Sequence, residues 1–357
     1  MLLITLLSLA AAIQPAGAPA PARQPQLAIG AGQVAITFGA GSHIYFAASP
    51  DGGQTFGAPV KVAEVGALAL GRHRGPRLAI LKDALVISAI AGQAVATGPH
   101  AHGLPDQGDL LVWRSTDQGR TWTRTGKIND VPGAAREGLH AMAVAPDGTL
   151  SAAWLDLRSK GTLLYGARSV DGGRSWSKNE LIYSSPDGTI CQCCHPALAA
   201  DQAAGSLWVM WRNVVEGSRD LYAARSGDGL HFGTAQKLGT GTWKLNACPM
   251  DGGGLAVADG KVTSAWRRDS DVFLSAAGEP DQKVGTGKDV ALALTRQGPV
   301  VAWTADGGIQ ARLPGAVAPV ELAKPGAFVN LLTLPDGTVL AAWETGASIE
   351  TKVLAAR

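Results

Sequence analysis

Four segments of this chain spell nearly the same phrase: Ser49-Pro-Asp-Gly-Gly-Gln-Thr-Phe56, Ser115-Thr-Asp-Gln-Gly-Arg-Thr-Trp122, Ser169-Val-Asp-Gly-Gly-Arg-Ser-Trp176 and, one residue shorter, Ser226-Gly-Asp-Gly-Leu-His-Phe232. Such repetition demands a repeated structural unit. In each copy the Asp carboxylate can accept hydrogen bonds from the backbone N–H groups of its own turn. A Gly supplies the positive-φ position, and the closing Trp or Phe packs inward.

The turns punctuate a longer unit. Small-residue strands recur near Leu27, Arg77, Ala141, Ala197, Leu255, Ala291 and Val329. Each is followed by a second strand that often ends in Trp, as in Leu150-Ser-Ala-Ala-Trp154, Leu207-Trp-Val-Met-Trp211, Val262-Thr-Ser-Ala-Trp266, Pro299-Val-Val-Ala-Trp303 and Thr338-Val-Leu-Ala-Ala-Trp343. A third strand leads into the Asp-containing turn and a fourth leaves it. Seven units of roughly 45 to 50 residues predict an all-β fold, a β-propeller with seven blades. The seventh unit lacks an obvious fourth strand, and the N-terminal segment is expected to complete it.

The pattern Ser-x-Asp-x-Gly-x-Thr/Ser-Trp/Phe resembles the Asp-box of the sialidase (neuraminidase) superfamily, the BNR-repeat β-propellers. As a repeat the resemblance spans essentially the whole mature chain; the catalytic motifs match only in part. It implies six blades, against the seven counted directly, and we follow the count. It also implies an exo-α-sialidase-type glycoside hydrolase acting on acidic glycans, with arginines on the substrate carboxylate, an acidic proton donor and a Tyr nucleophile. Gly75-Pro-Arg77 is the nearest counterpart of the family's first arginine, with Arg212 and Arg267 as its partners. Glu137 and Asp156 are then the acid–base candidates, and Asp251 adds a third carboxylate. The chain departs from the family in lacking an aromatic-Arg-Ile-Pro motif before the first Asp-box and any Tyr after Tyr222.

Composition narrows the partners. A net charge of +2 with no basic run excludes a nucleic-acid surface of the usual kind. An acidic glycan or a small anion is expected instead, with a protein partner as the alternative. Residues 2–13 form an apolar run too short to span a bilayer, followed by Ala-x-Ala sites ending at Ala18, Ala20 and Ala22. Residues 1–22 therefore read as a secretory signal and 23–357 as a single propeller domain, exported to the periplasm or cell exterior with no transmembrane segment in the mature protein.

In an antiparallel meander, the first-to-second and third-to-fourth connections lie on one face of the disc and the remaining loops on the other. The Asp-boxes and bland turns such as Ala145-Pro-Asp-Gly-Thr149 take the first face. The second receives Arg72, His73, Arg74, Arg77, His100, His102, Arg136, Glu137, His140, Asp156, Arg158, Arg212, Arg219, Arg267, Arg268 and every cysteine. A functional site is expected there, over the channel. Arg77, Arg136, Arg212 and Arg267 fall at the inner ends of four units and are candidates for binding an anion, joined by His140 and by Trp243 as a stacking surface. Asp156 with Arg158, Arg219 with Asp220 and Arg268 with Asp269 are alternatively ion pairs between blades.

Cys191-Gln-Cys-Cys-His195 and Cys248-Pro-Met-Asp251 open neighbouring units, so Cys191, Cys193, Cys194, His195, Cys248 and Met250 are expected to meet. Three chemistries stay open. An even number of cysteines in an exported protein suits disulfides; thiolates with His and Met suit copper, or zinc with three Cys and one His; Cys191-x-x-Cys194-His195 matches c-type haem attachment.

Overall fold

The structure is a computed structural model describing residues 11–97, 103–276 and 279–354; His100 and His102 lie outside them. All regular structure among the described residues is β. The strands form seven antiparallel sheets, one for each sequence unit, in meander order. The count of seven blades is thus met. The seven inner strands are Ala22–Gly30, Arg77–Ile80, His140–Val144, Ala197–Asp201, Gly254–Ala258, Lys288–Thr295 and Ala327–Thr333.

Each blade is too thin to bury its own apolar faces, so the core lies between blades. One hydrophobic cluster spans each junction: Phe46 of the first blade meets Ile87 of the second, and Val339 of the seventh meets Ala302 of the sixth. Trp154, Trp211, Trp303 and Trp343, at the ends of second strands, are at most 1 % exposed. Truncating any of them to Ala should cost about 3–5 kcal/mol.

The ring closes where Ala11–Ile13 pairs antiparallel with Ser348–Leu354, Ile13 opposite Ile349. The N-terminal segment thereby supplies the missing fourth strand of the seventh blade. These residues belong to the stretch read from sequence as the end of a signal.

The Asp-containing turns behave as local staples. In the second copy Asp117 Oδ1 accepts from Thr121 N at 2.9 Å and Asp117 Oδ2 from Thr121 Oγ1 at 2.6 Å, while Ser115 Oγ accepts from Gly119 N at 2.9 Å. Gly119 sits at φ +85, and a Cβ there would meet the Phe46 ring of the preceding blade. The Trp122 ring packs edge-on against that same Phe46, 5.4 Å between centroids.

The opposite face is shaped by bulges. The inner strands of blades one, six and seven each slip register, between Arg23 and Gln26, Lys288 and Ala291, and Ala327 and Asn330. Each slip carries a non-glycine residue at positive φ: Gln24 (+57), Asp289 (+56) and Phe328 (+52). A bulge re-aims its side chain. At these places it happens where the strands meet the central channel.

Candidate functional site

The inner strands enclose a cavity of about 270 Å³ whose polar lining includes Gln24, Gln26, His73, Arg77, His195 and Asn330. A larger recess of about 600 Å³ at the rim, beside Phe56 and Lys61, includes no Arg, Cys, Asp or Glu in its lining. The channel brings Arg77 together with two histidines, His73 and His195.

Arg77 opens the second inner strand, and its guanidinium donates only to backbone carbonyls: Nη1 to Gly75 O (3.2 Å) and Pro76 O (3.1 Å), Nη2 to His73 O (2.7 Å). No carboxylate of the described residues pairs with it within salt-bridge distance. Burial pulls its pKa down to about 10, the direction expected of a cation removed from water without a counter-ion.

His73 stands beside it. Arg72 (φ +53) and His73 (φ +67) are consecutive residues in the left-handed region, a strained backbone that persists only where surrounding contacts hold it. The holding contacts are the Arg77 bond to His73 O, the pairing of His73 Nε2 with Asp289 Oδ1 at 3.2 Å, and an edge-on contact with Phe328 at 5.4 Å. Asp289 thus orients the imidazole, and with Nε2–H given to Asp289 the lone pair is on Nδ1. Asp289 Oδ2 is buried without a partner.

His195 stacks on His73, ring centroids 4.3 Å apart. Its Nδ1 accepts from Gly252 N and its Nε2 donates to Gly253 O, both at 3.2 Å, so the ring is neutral and both nitrogens are occupied. Burial, with the neighbouring His73 ring and the Arg77 cation adding to it, holds its pKa well below the usual imidazole value. His140 is 1 % exposed beneath Arg77, with Nε2 on Ser88 Oγ at 3.0 Å and Nδ1 unpartnered; burial depresses its pKa likewise.

Three other expected site residues, Arg212, Asp156 and Asp251, spend their polar atoms on partners within the protein. Arg212, 1 % exposed, donates to three backbone carbonyls, Asp251 O (3.1 Å), Arg219 O (2.7 Å) and Arg267 O (3.3 Å). Its guanidinium is a clamp between loops. The guanidinium carbons of Arg212 and Arg267 lie 5.4 and 5.6 Å from the Trp243 ring, which is 4 % exposed and has its Nε1 on Asp269. Trp243 is packed from within the protein, and Arg212, one of the trio expected from the family pattern, has its donors on backbone carbonyls. Arg136 is exposed on a loop, and Glu137 lies close enough to feel the charge of Arg74.

The carboxylates are similarly committed. Asp156, fully buried, accepts from Trp154 Nε1 (2.8 Å) and from Arg158 Nε (2.8 Å). Asp251, 1 % exposed, accepts from Gly253 N at 3.1 Å and Asp289 N at 2.8 Å, bracing the bulge that presents Asp289. Of the three ion pairs expected between neighbours in sequence, Asp156 with Arg158 forms. Asp220 pairs instead with Lys237 and Arg268 with Asp281, because the folded blades bring nearer partners.

The cysteines separate into two groups. Cys191, Cys193 and Cys194 are at most 6 % exposed, with sulfur distances of 3.6 Å from Cys191 to Cys193 and 3.2 Å from Cys191 to Cys194. Arg219 Nη1 lies 3.3 Å from Cys191 Sγ. Hydrogen bonding with Cys193 and Cys194, with Arg219 adding to it, holds the Cys191 thiol well below its usual pKa, and burial pushes Cys194 up. Met250 packs on the three; Cys248 is exposed and outside the cluster. The residues do not fit a c-type haem, since both thiols are packed together in the interior and the His195 nitrogens are bonded to backbone.

Sequence reasoning placed His73 on this face without singling it out, and it missed Asp289, Gln24 and Phe328. Glycine marks most positive-φ positions in a sequence, and these bulges carry none.

No protein-family model matches the chain, and no curated protein matches it. Solved structures do. The α-L-arabinanase of Penicillium chrysogenum complexed with arabinobiose aligns over 96 % of this chain and 97 % of its own, with 15 % identity and a TM-score of 0.56. A polysaccharide lyase, an ulvan lyase bound to -[GlcA(1-4)Rha3S]-, aligns over 97 % and 95 % with 11 % identity and a TM-score of 0.58. The intramolecular trans-sialidase of Ruminococcus gnavus in complex with oseltamivir carboxylate aligns over 96 % of each chain with 12 % identity and a TM-score of 0.54. At these identities the likeness is one of fold: the chain is a seven-bladed β-propeller whose architecture is shared by glycoside hydrolases and a polysaccharide lyase.

Proposed function

We propose that the channel mouth binds an acidic sugar of a glycan through Arg77 and removes the proton alpha to its carboxylate through His73. The observation that carries this reading is the Arg77 guanidinium, directed to the channel with carbonyl partners alone and bonded to the backbone of the oriented His73. A carboxylate docked on Arg77 has its charge neutralised, which acidifies the neighbouring C–H. His73, held by Asp289, is the base in reach. In the step, the C–H electrons form a carbon–carbon double bond as the bond to the leaving sugar oxygen breaks, and that oxygen takes a proton from solvent.

The carbohydrate-active neighbours support a glycan as ligand, and one of them holds a GlcA-containing unit. Sialidase-type hydrolysis draws less support, because Asp156 and Asp251 spend their oxygens inside the protein and Arg212 has three internal partners. Export belongs to the same proposal, resting on the signal-like residues 1–22.

The test is incubation of the protein with uronate-containing and sialylated glycans, following unsaturated sugar by ultraviolet absorbance and released sialic acid separately. Unsaturated product that disappears in Arg77→Ala and His73→Ala supports the proposal. Sialic acid release alone would move the chemistry to hydrolysis, and no affinity for any acidic glycan would end the reading.

A further inference from the structure

A second site lies one residue from the channel and owes nothing to the sugar chemistry. The Sγ atoms of Cys191, Cys193 and Cys194 all fall within 4.8 Å of one another. A metal–sulfur bond of about 2.3 Å sets three thiolates around one ion about 4 Å apart, so shifts of well under an ångström would make the cluster a three-sulfur cradle. The loop that carries it is tied down at its first residue, where Cys191 N donates to Arg212 O at 3.0 Å.

The donors around the cluster decide which ion. Zinc in a protein takes four ligands, and a fourth imidazole is missing because both His195 nitrogens bond Gly252 and Gly253. What packs over the thiols is the Met250 side chain, a soft thioether. Met250 is held there at φ +58, with its sulfur accepting from Arg72 Nη1 at 3.4 Å and the next carbonyl, Asp251 O, clamped by Arg212.

Charge points the same way. Three thiolates on a monovalent ion leave two negative charges in excess, a species that an apolar interior rejects. Here Arg219 Nη1 lies 3.3 Å from Cys191 Sγ and offsets part of that charge.

We infer that Cys191, Cys193 and Cys194 bind a single copper(I) ion as thiolates, with Met250 packed over them and Arg219 set against Cys191. Binding releases three thiol protons and involves no change of oxidation state. Cys248, outside the cluster, is not a ligand.

The test uses the full chain, reduced and kept anaerobic, titrated with copper(I) against a chromophoric copper(I) chelator, with X-ray absorption to count sulfur neighbours. The expected result is one equivalent withheld from the chelator in an all-sulfur shell, unchanged in Cys248→Ser and lost in Cys193→Ser. Since Cys193→Ser could disturb folding, circular dichroism accompanies it, and Arg219→Gln gives a second readout: affinity about 10–100-fold weaker in a folded protein. Copper surrendered fully to the chelator, a nitrogen-containing shell, zinc held more tightly than copper, or loss in Cys248→Ser would each overturn the assignment. Glycan turnover is read on a different substrate and stands or falls separately.

Discussion

Replacing Arg212 with Met asks whether its guanidinium is a structural clamp or a free hand for substrate. The side chain is 1 % exposed and donates to the carbonyls of Asp251 and Arg219, in two loops, and of Arg267, in the strand Lys261–Arg268. A hydrogen bond to a charged group contributes about 1.5–3 kcal/mol, and a buried carbonyl stripped of its partner costs about 1–3 kcal/mol. The longest of the three contacts, 3.3 Å to Arg267 O, belongs at the weak end. Met fills much of the volume, so the cavity penalty is small, and the loss should be about 3–5 kcal/mol. Urea denaturation compared with wild type measures it. Arg212→Lys keeps the charge but loses the fork, and should recover less than half. Hydrogen exchange should quicken first at residues 248–253, whose Asp251 carbonyl is released. A loss below about 1 kcal/mol in Arg212→Met, with acidic-glycan affinity abolished, would refute the clamp and return Arg212 to the substrate.

Two further outcomes follow from burial. His140 is held well below the usual imidazole pKa, so the folded chain keeps it neutral while the unfolded chain gains a proton below about pH 6.5; stability is then full above that value and declines toward the depressed folded pKa. The decline should reach about 1.4 kcal/mol per pH unit for each such histidine, and His140→Gln, followed by urea midpoints from pH 7 to 5, should flatten it; an unaltered slope would count against the buried neutral ring. Ile13, 4 % exposed in the strand that closes the ring, should cost about 2–3 kcal/mol when changed to Ala, and the mass of the N-terminus of protein purified from cells should show whether that strand is retained. A thermal midpoint indifferent to Ile13→Ala would mean the closure contributes nothing.

The architecture was legible because its instructions are local. Ser115, Asp117, Gly119 and Thr121 satisfy one another within a single turn, and the alternation ending in Trp154, Trp211, Trp303 and Trp343 marks one strand at a time. Repeating a local signal seven times leaves little else for the chain to build, down to the missing fourth strand that Ala11–Ile13 supplies. The loop face that bears the cysteines and arginines followed from the meander alone.

What each of those side chains does was settled by contacts between distant residues. Arg77 opens an inner strand and Arg212 ends a second strand on the same face, yet one lines the channel and the other spends its guanidinium on carbonyls up to 55 positions away. Backbone carbonyls are the same in every residue, so no sequence pattern advertises an acceptor. Asp289 reaches His73 across 216 positions, from a bulge that carries no glycine to announce it. Cys248 and Cys191 look alike in the chain, but only packing decides that one is exposed and the other meets two further sulfurs. The sequence by itself determined the blades, their number and the face that bears the cysteines and most of the arginines discussed; the tertiary structure alone decided which charged groups stay free, because that depends on what the other loops leave unpaired.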